Sequence, residues 1–423
     1  MRAVLRSSVF PGFLFVFLAA PAPAQEAQPA ADEVRRLEAE IAALREDFAG
    51  RLAALEAKLA ALEAPAPTPA EVTPSPAPPE APQPVAPAQA APAPTVATPP
   101  LGSKVFNPDI AVIGNFLGAA GENDSPDAPP SLQMEEAEAS FQAIVDPYAR
   151  ADFFLTFGPE EVGIEEGFVT FPTVPGGLLV KIGKMRDAFG KVNAMHAHML
   201  PWTDRPLVVG NLVGGEEGLA DSGVSVSRLI PNRFLFLEAT GQVYQGSSEI
   251  FAAPKRSDLA YVGHLRAYRD LGESSNIDLG GSFAYGHNGA TDDTTTRLWG
   301  ADLTFRWRPL RRAIYRRFLA RTELVWSRRE GEEAAASSFG WYGSAEYQFA
   351  RRWFLGARYD WSERAFDPSL EDKGGSLLLT WWPSEFSQIR GQFRRTEFAD
   401  GQTANELLFQ FLFSIGAHGA HPF

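Results

Sequence analysis

Between residues 109 and 416, apolar and polar positions alternate with period two in one short run after another, each closed by turn-forming residues. The last run is the clearest. Leu407, Phe409, Phe411, Phe413 and Ile415 fall on one side of an extended chain, and Gln410, Ser414 and Gly416 on the other. Ala151, Phe153, Leu155 and Phe157 oppose Asp152, Phe154 and Thr156 in the same way, and Trp353, Leu355, Ala357, Tyr359 and Trp361 oppose Arg358, Asp360 and Ser362. A water-soluble sheet would turn so apolar a face inward, and soluble folds rarely keep every strand this one-sided. Lipid outside and water within explain the pattern, which predicts an all-β transmembrane barrel of about 16 antiparallel strands.

The connections carry a second pattern. Short turns at Asp146-Pro147-Tyr148, Pro231-Asn232, Arg351-Arg352 and Pro383-Ser384-Glu385 alternate with longer polar stretches such as 121–133, 247–258, 291–295 and 331–337. Outer-membrane barrels alternate short periplasmic turns with long outer loops in this way, and an even strand count leaves both ends of the barrel on the periplasmic side. Trp307, Trp326, Trp341, Trp353, Trp361, Trp381 and Trp382 fall near strand ends, the expected places of interfacial girdles. The longest connection, residues 191–222, is the third outer loop, and its length predicts a constriction folded into the lumen.

Ahead of the barrel (101–423) the chain reads as three shorter parts. Arg2 and Arg6, an apolar run over 10–20 and Ala22-Pro23-Ala24 make residues 1–24 an export signal. Residues 31–64 are rich in Ala, Leu, Glu and Arg, with Val34, Leu37, Ile41, Leu44 and Phe48 in a coiled-coil seam that resumes at Leu52, Leu55, Leu59 and Leu62 after a stutter. The seam predicts a periplasmic coiled coil that joins copies of the chain, as a trimer or a dimer. Residues 65–100 are mostly Pro and Ala, a spacer whose extended form at ~3.1 Å per residue reaches on the order of 100 Å.

Composition narrows the chemistry. A net charge of −14 argues against a nucleic-acid partner, and the absence of cysteine removes disulfides, thiolate nucleophiles and Cys-type zinc sites. The third loop holds Met195-His196-Ala197-His198-Met199, then Asp204 and Arg205. Imidazoles and thioethers suit zinc or copper, and a His-x-His pair in an extended chain projects both rings to one side. A tetrahedral site needs a third protein ligand, for which His264 is the nearest candidate on a lumen face. A second spaced pair, His418 and His421, falls on the periplasmic side of the same topology. Lumen-facing Arg306, Arg308, Arg321, Arg358, Arg390 and Arg394, partly balanced by Asp302, Glu323, Glu346 and Asp360, predict a weak anion preference. The six histidines show no spacing with a nucleophile that would suggest a hydrolase, so the chain is not expected to be an enzyme.

Residues 183–231, GKMRDAFGKVNAMHAHMLPWTDRPLVVGNLVGGEEGLADSGVSVSRLIP, and the ending FSIGAHGAHPF resemble proteobacterial outer-membrane proteins often labelled zinc-regulated TonB-dependent receptors. The resemblance covers about 106–423 and implies a single barrel; the zinc of that label is read as describing gene regulation. More distantly, the succession of coiled-coil helix, linker and barrel resembles trimeric porins, including the phosphate-selective type. The chain has room for a porin and not for the 22 strands and plug of a TonB-dependent transporter. The terminal Phe423 matches the aromatic end of outer-membrane barrels. The function expected first is passive passage of small solutes or ions across the outer membrane. The alternatives are an anchor tethering the periplasmic coiled coil to cell wall or a partner, and a barrel for zinc or copper uptake.

Overall fold

The computed structural model of the chain describes residues 108–125, 128–158, 162–215 and 217–416. The export signal, the 31–64 helix, the 65–100 spacer and the His418/His421 pair lie outside the described residues. Among the described residues sixteen strands follow one another: β1 (Asp109–Glu122), β2 (Leu132–Asp146), β3 (Ala149–Phe157), β4 (Val162–Val174), β5 (Leu178–Arg186), β6 (Ala220–Leu229), β7 (Phe236–Tyr244), β8 (Ala260–Gly272), β9 (Ser275–His287), β10 (Thr295–Trp307), β11 (Arg317–Glu330), β12 (Ala335–Ala350), β13 (Trp353–Glu363), β14 (Glu371–Ser384), β15 (Ser387–Glu397) and β16 (Thr403–Gly416). Each pairs antiparallel with its sequence neighbour, and β1 closes on β16 from Ala111↔Gly416 to Glu122↔Asn405. Closure leaves no unpaired sheet edge, as a lipid-immersed sheet requires.

The alternation read from the sequence governs which way side chains point. In β16, Leu407 and Phe409 are 59% and 44% exposed on the outer face, whereas Leu408 and Gln410 are each 2% exposed on the inner face. Aromatic residues pair across strands on the outside: Trp353 stacks on Trp381 with centroids 5.7 Å apart, and Phe339 lies 5.2 Å from Trp326 and 5.9 Å from Trp361. Trp382 departs from the expected girdle. Consecutive strand residues face opposite sides, so beside an outward Trp381 it turns inward and lines a cavity at the short-turn end.

The inner face is less polar than a water-filled lumen requires. Near the long-loop end, Val262, Leu298, Val325, Tyr342 and Leu378 point inward and are nearly fully buried. They belong to a hydrophobic cluster whose other half is supplied by the third long loop. Period two tells which residues share a face; it does not tell what lies against that face.

Candidate functional site

The third loop runs from Asp187 to Leu219, because β5 ends at Arg186 and β6 begins at Ala220. It therefore starts earlier than the expected 191–222, and residues 220–222 are strand. Its neck is clipped by Asn193, which is 1% exposed. The Asn193 amide donates to the carbonyls of Asp187 and Leu219 at 2.9 and 2.8 Å and accepts the Leu219 N–H at 2.7 Å.

From this neck the loop enters the barrel and is held to successive walls. Gly190 N–H donates to Ser282 Oγ at 2.9 Å, Lys191 pairs with Asp278 at 2.9 Å, and Val192 N–H donates to Glu323 at 2.8 Å. Gly190 has φ +62°, and a Cβ there would collide with the Glu323 carboxylate, so this close approach needs glycine. Farther on, a helical turn Leu207–Val209 and a π-type turn Gly210–Gly214 bury Val208, Val209, Leu212 and Val213 against the inner wall. The loop thus has a core of its own.

Two charged contacts fix the loop at separate stretches of the barrel wall. At one, Asp204 meets Arg358 at 2.7 Å and Arg394 at 3.0 Å, while its other carboxylate oxygen accepts from Gln392 at 2.6 Å. Arg358 also reaches Asp360 at 2.7 Å, and Arg394 reaches Glu406. Burial works to raise the Asp204 pKa, but Arg358 and Arg394 outweigh it and hold the carboxyl well below the usual range. Trp202 packs here, edge-on to Tyr342 at 5.3 Å and beneath the Arg358 guanidinium at 4.9 Å.

At the other contact His196 is wedged among glutamates. Its Nδ1 lies 2.7 Å from Glu138 on β2 and 3.1 Å from Glu165 on β4, and its Nε2 lies 2.7 Å from Glu166. A carboxylate oxygen within hydrogen-bond distance of each nitrogen favours the doubly protonated ring, in which both nitrogens donate. Burial alone would lower its pKa; the three carboxylates reverse that and carry it well above the ordinary histidine value. His198 lies 5.6 Å from His196, ring to ring, and its Nδ1 is 3.5 Å from Glu138. The histidines share one cluster through a 3-10 turn, Ala197–Met199, and not through an extended strand.

These glutamates were missed from the sequence, although a signal was present. Glu135-Glu136 and Glu165-Glu166 are adjacent acids inside period-two strands, where one of each pair should face lipid. Each pair sits at a β-bulge: β1 pairing steps from Glu136 to Met134, and β3 pairing steps from Glu166 to Ile164. The extra residue lets neighbours turn to the same side. Asn115 binds Glu135 at 2.9 Å, and Arg186 forms an ion pair with Glu165.

The other sequence candidates are dispersed. His264 is not the third ligand; its Nδ1 is 2.8 Å from Ser282, the hydroxyl that also seats Gly190. Met195 receives a long contact from Arg321 at 3.9 Å, and Arg205 donates to the carbonyls of Val192 and Met195 within the loop. Below the loop, at the short-turn end, a cavity of about 250 Å³ is lined by Arg306, Arg308, Arg317, Arg321 and Arg390, with Glu346 the one acidic residue among the described residues there; Met195, His198 and Met199 line it too. Arg306 also reaches Asp278 at 3.6 Å, and Arg390 donates to the Trp202 carbonyl at 2.9 Å. Arg358 and Arg394 lie instead at the Asp204 contact.

No known family model matches the chain. An uncharacterized protein of Aquifex aeolicus is 32% identical over 336 residues, covering 69% of this chain and 70% of that protein. The chain belongs to the family of that Aquifex protein. Among solved structures, Pseudomonas putida OprB aligns over 74% of this chain and 95% of its own at TM-score 0.53 and 10% identity. The anion-selective porin of Comamonas acidovorans aligns over 72% and 98% at TM-score 0.52 and 10% identity. Both share the fold, which is that of outer-membrane porins.

Proposed function

We propose that the protein is a porin-like channel of the outer membrane for small solutes or ions, in which the inward third loop sets the passage. The observation that carries the reading is the course of residues 187–219, tied to inward-facing groups on β2, β4, β9, β11, β13 and β15. A loop held at that many points across a barrel narrows it and fixes which side chains a solute meets. Arginine dominance in the turn-side cavity supports a preference for anions. Planar-bilayer recordings of the refolded mature protein test both parts. Discrete steps with reversal potentials on the anion side are expected; steps with cation selectivity would overturn the preference.

A second reading has its own support. The apolar side of the loop is buried like a domain core, with Val208 and Leu212 at 0% exposure. That packing suits a closed barrel whose role is to anchor a periplasmic segment. Complete silence in bilayers, together with loss of cell-envelope function on deletion of residues 31–64, would favour the anchor over the channel.

A further inference from the structure

We propose that Glu138, His196 and His198 form a binding site for a divalent transition-metal ion of the zinc class, with Glu165 completing the coordination. This goes beyond passage through the barrel and does not rest on it.

Three observations point to a metal. First, one ligand atom from each of Glu138, His196 and His198 falls within 4.8 Å of the others, and all three residues are buried. Tetrahedral zinc bonded at about 2.0–2.1 Å sets its ligands roughly 3.3 Å apart. The observed 2.7 Å from His196 to Glu138 and 3.5 Å from His198 to Glu138 bracket that spacing, so small side-chain rotations suffice.

Second, the corner gathers carboxylates beyond the three-residue set itself. Glu135, Glu136, Glu138, Glu165 and Glu166 share it with Arg186, which pairs with Glu165, and with His196. Glu136, Glu138 and Glu165 form a second group whose oxygens lie within 4.8 Å of one another. Glu165 is only 7% exposed, and its Oε2 faces His196 Nδ1 at 3.1 Å. A spacing of 3.1 Å between a carboxylate oxygen and an imidazole nitrogen is close to that of two zinc ligands.

Third, the donor types select among metals. Two imidazoles with carboxylates suit zinc, whereas calcium and magnesium prefer all-oxygen shells. Of the two neighbouring thioethers, Met195 is turned to Arg321 at 3.9 Å. The two β-bulges are the devices that gather the acids, and such irregularities recur beside functional sites.

A metal held there would join the loop to β2 and β4 by coordination. Equilibrium dialysis of the full chain in detergent against ZnCl₂ tests this, with E138Q, H196A/H198A and H418A/H421A beside the wild type. One zinc per wild-type chain is expected, with affinity falling at least about 100-fold in E138Q and in H196A/H198A and unchanged in H418A/H421A. No saturable binding, binding unaltered in the first two variants, or binding lost with the His418/His421 pair would each overturn the proposal. X-ray absorption at the zinc edge of the wild type needs no variant to fold. A shell with two imidazole nitrogens supports the site, and a shell without imidazole contradicts it.

Discussion

His196 and Asp204 stand a few residues apart in one loop, yet they are held in opposite ways. Asp204 is an acid among arginines, with Arg358 at 2.7 Å and Arg394 at 3.0 Å. His196 is a base among acids, with Glu138 and Glu166 both at 2.7 Å. Guanidinium and carboxylate keep their charges across the whole physiological range, so the Asp204 end is a permanent tie. An imidazole among carboxylates keeps its proton to higher pH than a free one, and it is also a side chain that metals bind. The two ties therefore differ in kind: one is an acid held by guanidinium groups, the other an imidazole held by carboxylates.

The largest effect is expected from breaking the Asp204 tie. Arg358→Ala removes the partner of both Asp204 and Asp360 at a residue only 3% exposed. Leaving buried Asp360 uncompensated and Asp204 with Arg394 as its one cation should destabilise the seated loop by about 3–5 kcal/mol. Limited proteolysis should then cut within residues 200–210 at protease levels that spare the wild type; equal resistance would show that the apolar seat alone holds the loop.

Gly190→Ala should cost less, about 1–2 kcal/mol, because it places a side chain at φ +62° against Glu323. Thermal unfolding of the barrel should barely move while proteolytic protection of the loop falls. Uniform loss in both would place the glycine in the barrel's own stability instead.

Acid provides the next distinction. Asp204 has its pKa depressed in the folded protein, so its contribution is fully present above the ordinary carboxylate value of about 3.9 and is lost only as pH falls through the lower folded value. Loop protection at the Asp204 end should therefore be the same at pH 7 and pH 4 in wild type. In Asp204→Asn that end should be weaker at both. Wild-type release between pH 7 and 4 would contradict the charge assignment.

The smallest structural effect is expected at the cavity rim. Arg308 is exposed, so Arg308→Ala should change stability by less than about 0.5 kcal/mol while shifting reversal potentials away from anions. An unchanged reversal potential would remove the turn-side arginines from selectivity.

The barrel was legible in the sequence because lipid imposes one rule on every strand, and period two expresses it without reference to distant residues. The loop's place was legible too, since alternating connection lengths identify the third outer loop. Its partners were not. Glu138 lies 58 residues from His196 in sequence, and only barrel closure and the β-bulges bring β2, β4 and the loop together. His264 looked nearer to being a ligand because its strand faces the lumen, but it sits at the wall that seats Gly190. The apolar lining of Leu298, Val325 and Tyr342 was equally hidden, because alternation assigns a side chain to a face and says nothing of what packs against it. The Glu-Glu pairs were the readable exception. Two acids side by side in a strand that should send one of them into lipid signal a bulge, and with it a site.

The most direct test of an inward loop that governs passage is the single-channel conductance of the intact chain beside one whose residues 190–218 are replaced by a short Gly-Ser linker. The account predicts small steps in the intact protein and distinctly larger ones in the variant. Steps of equal size in both would contradict it.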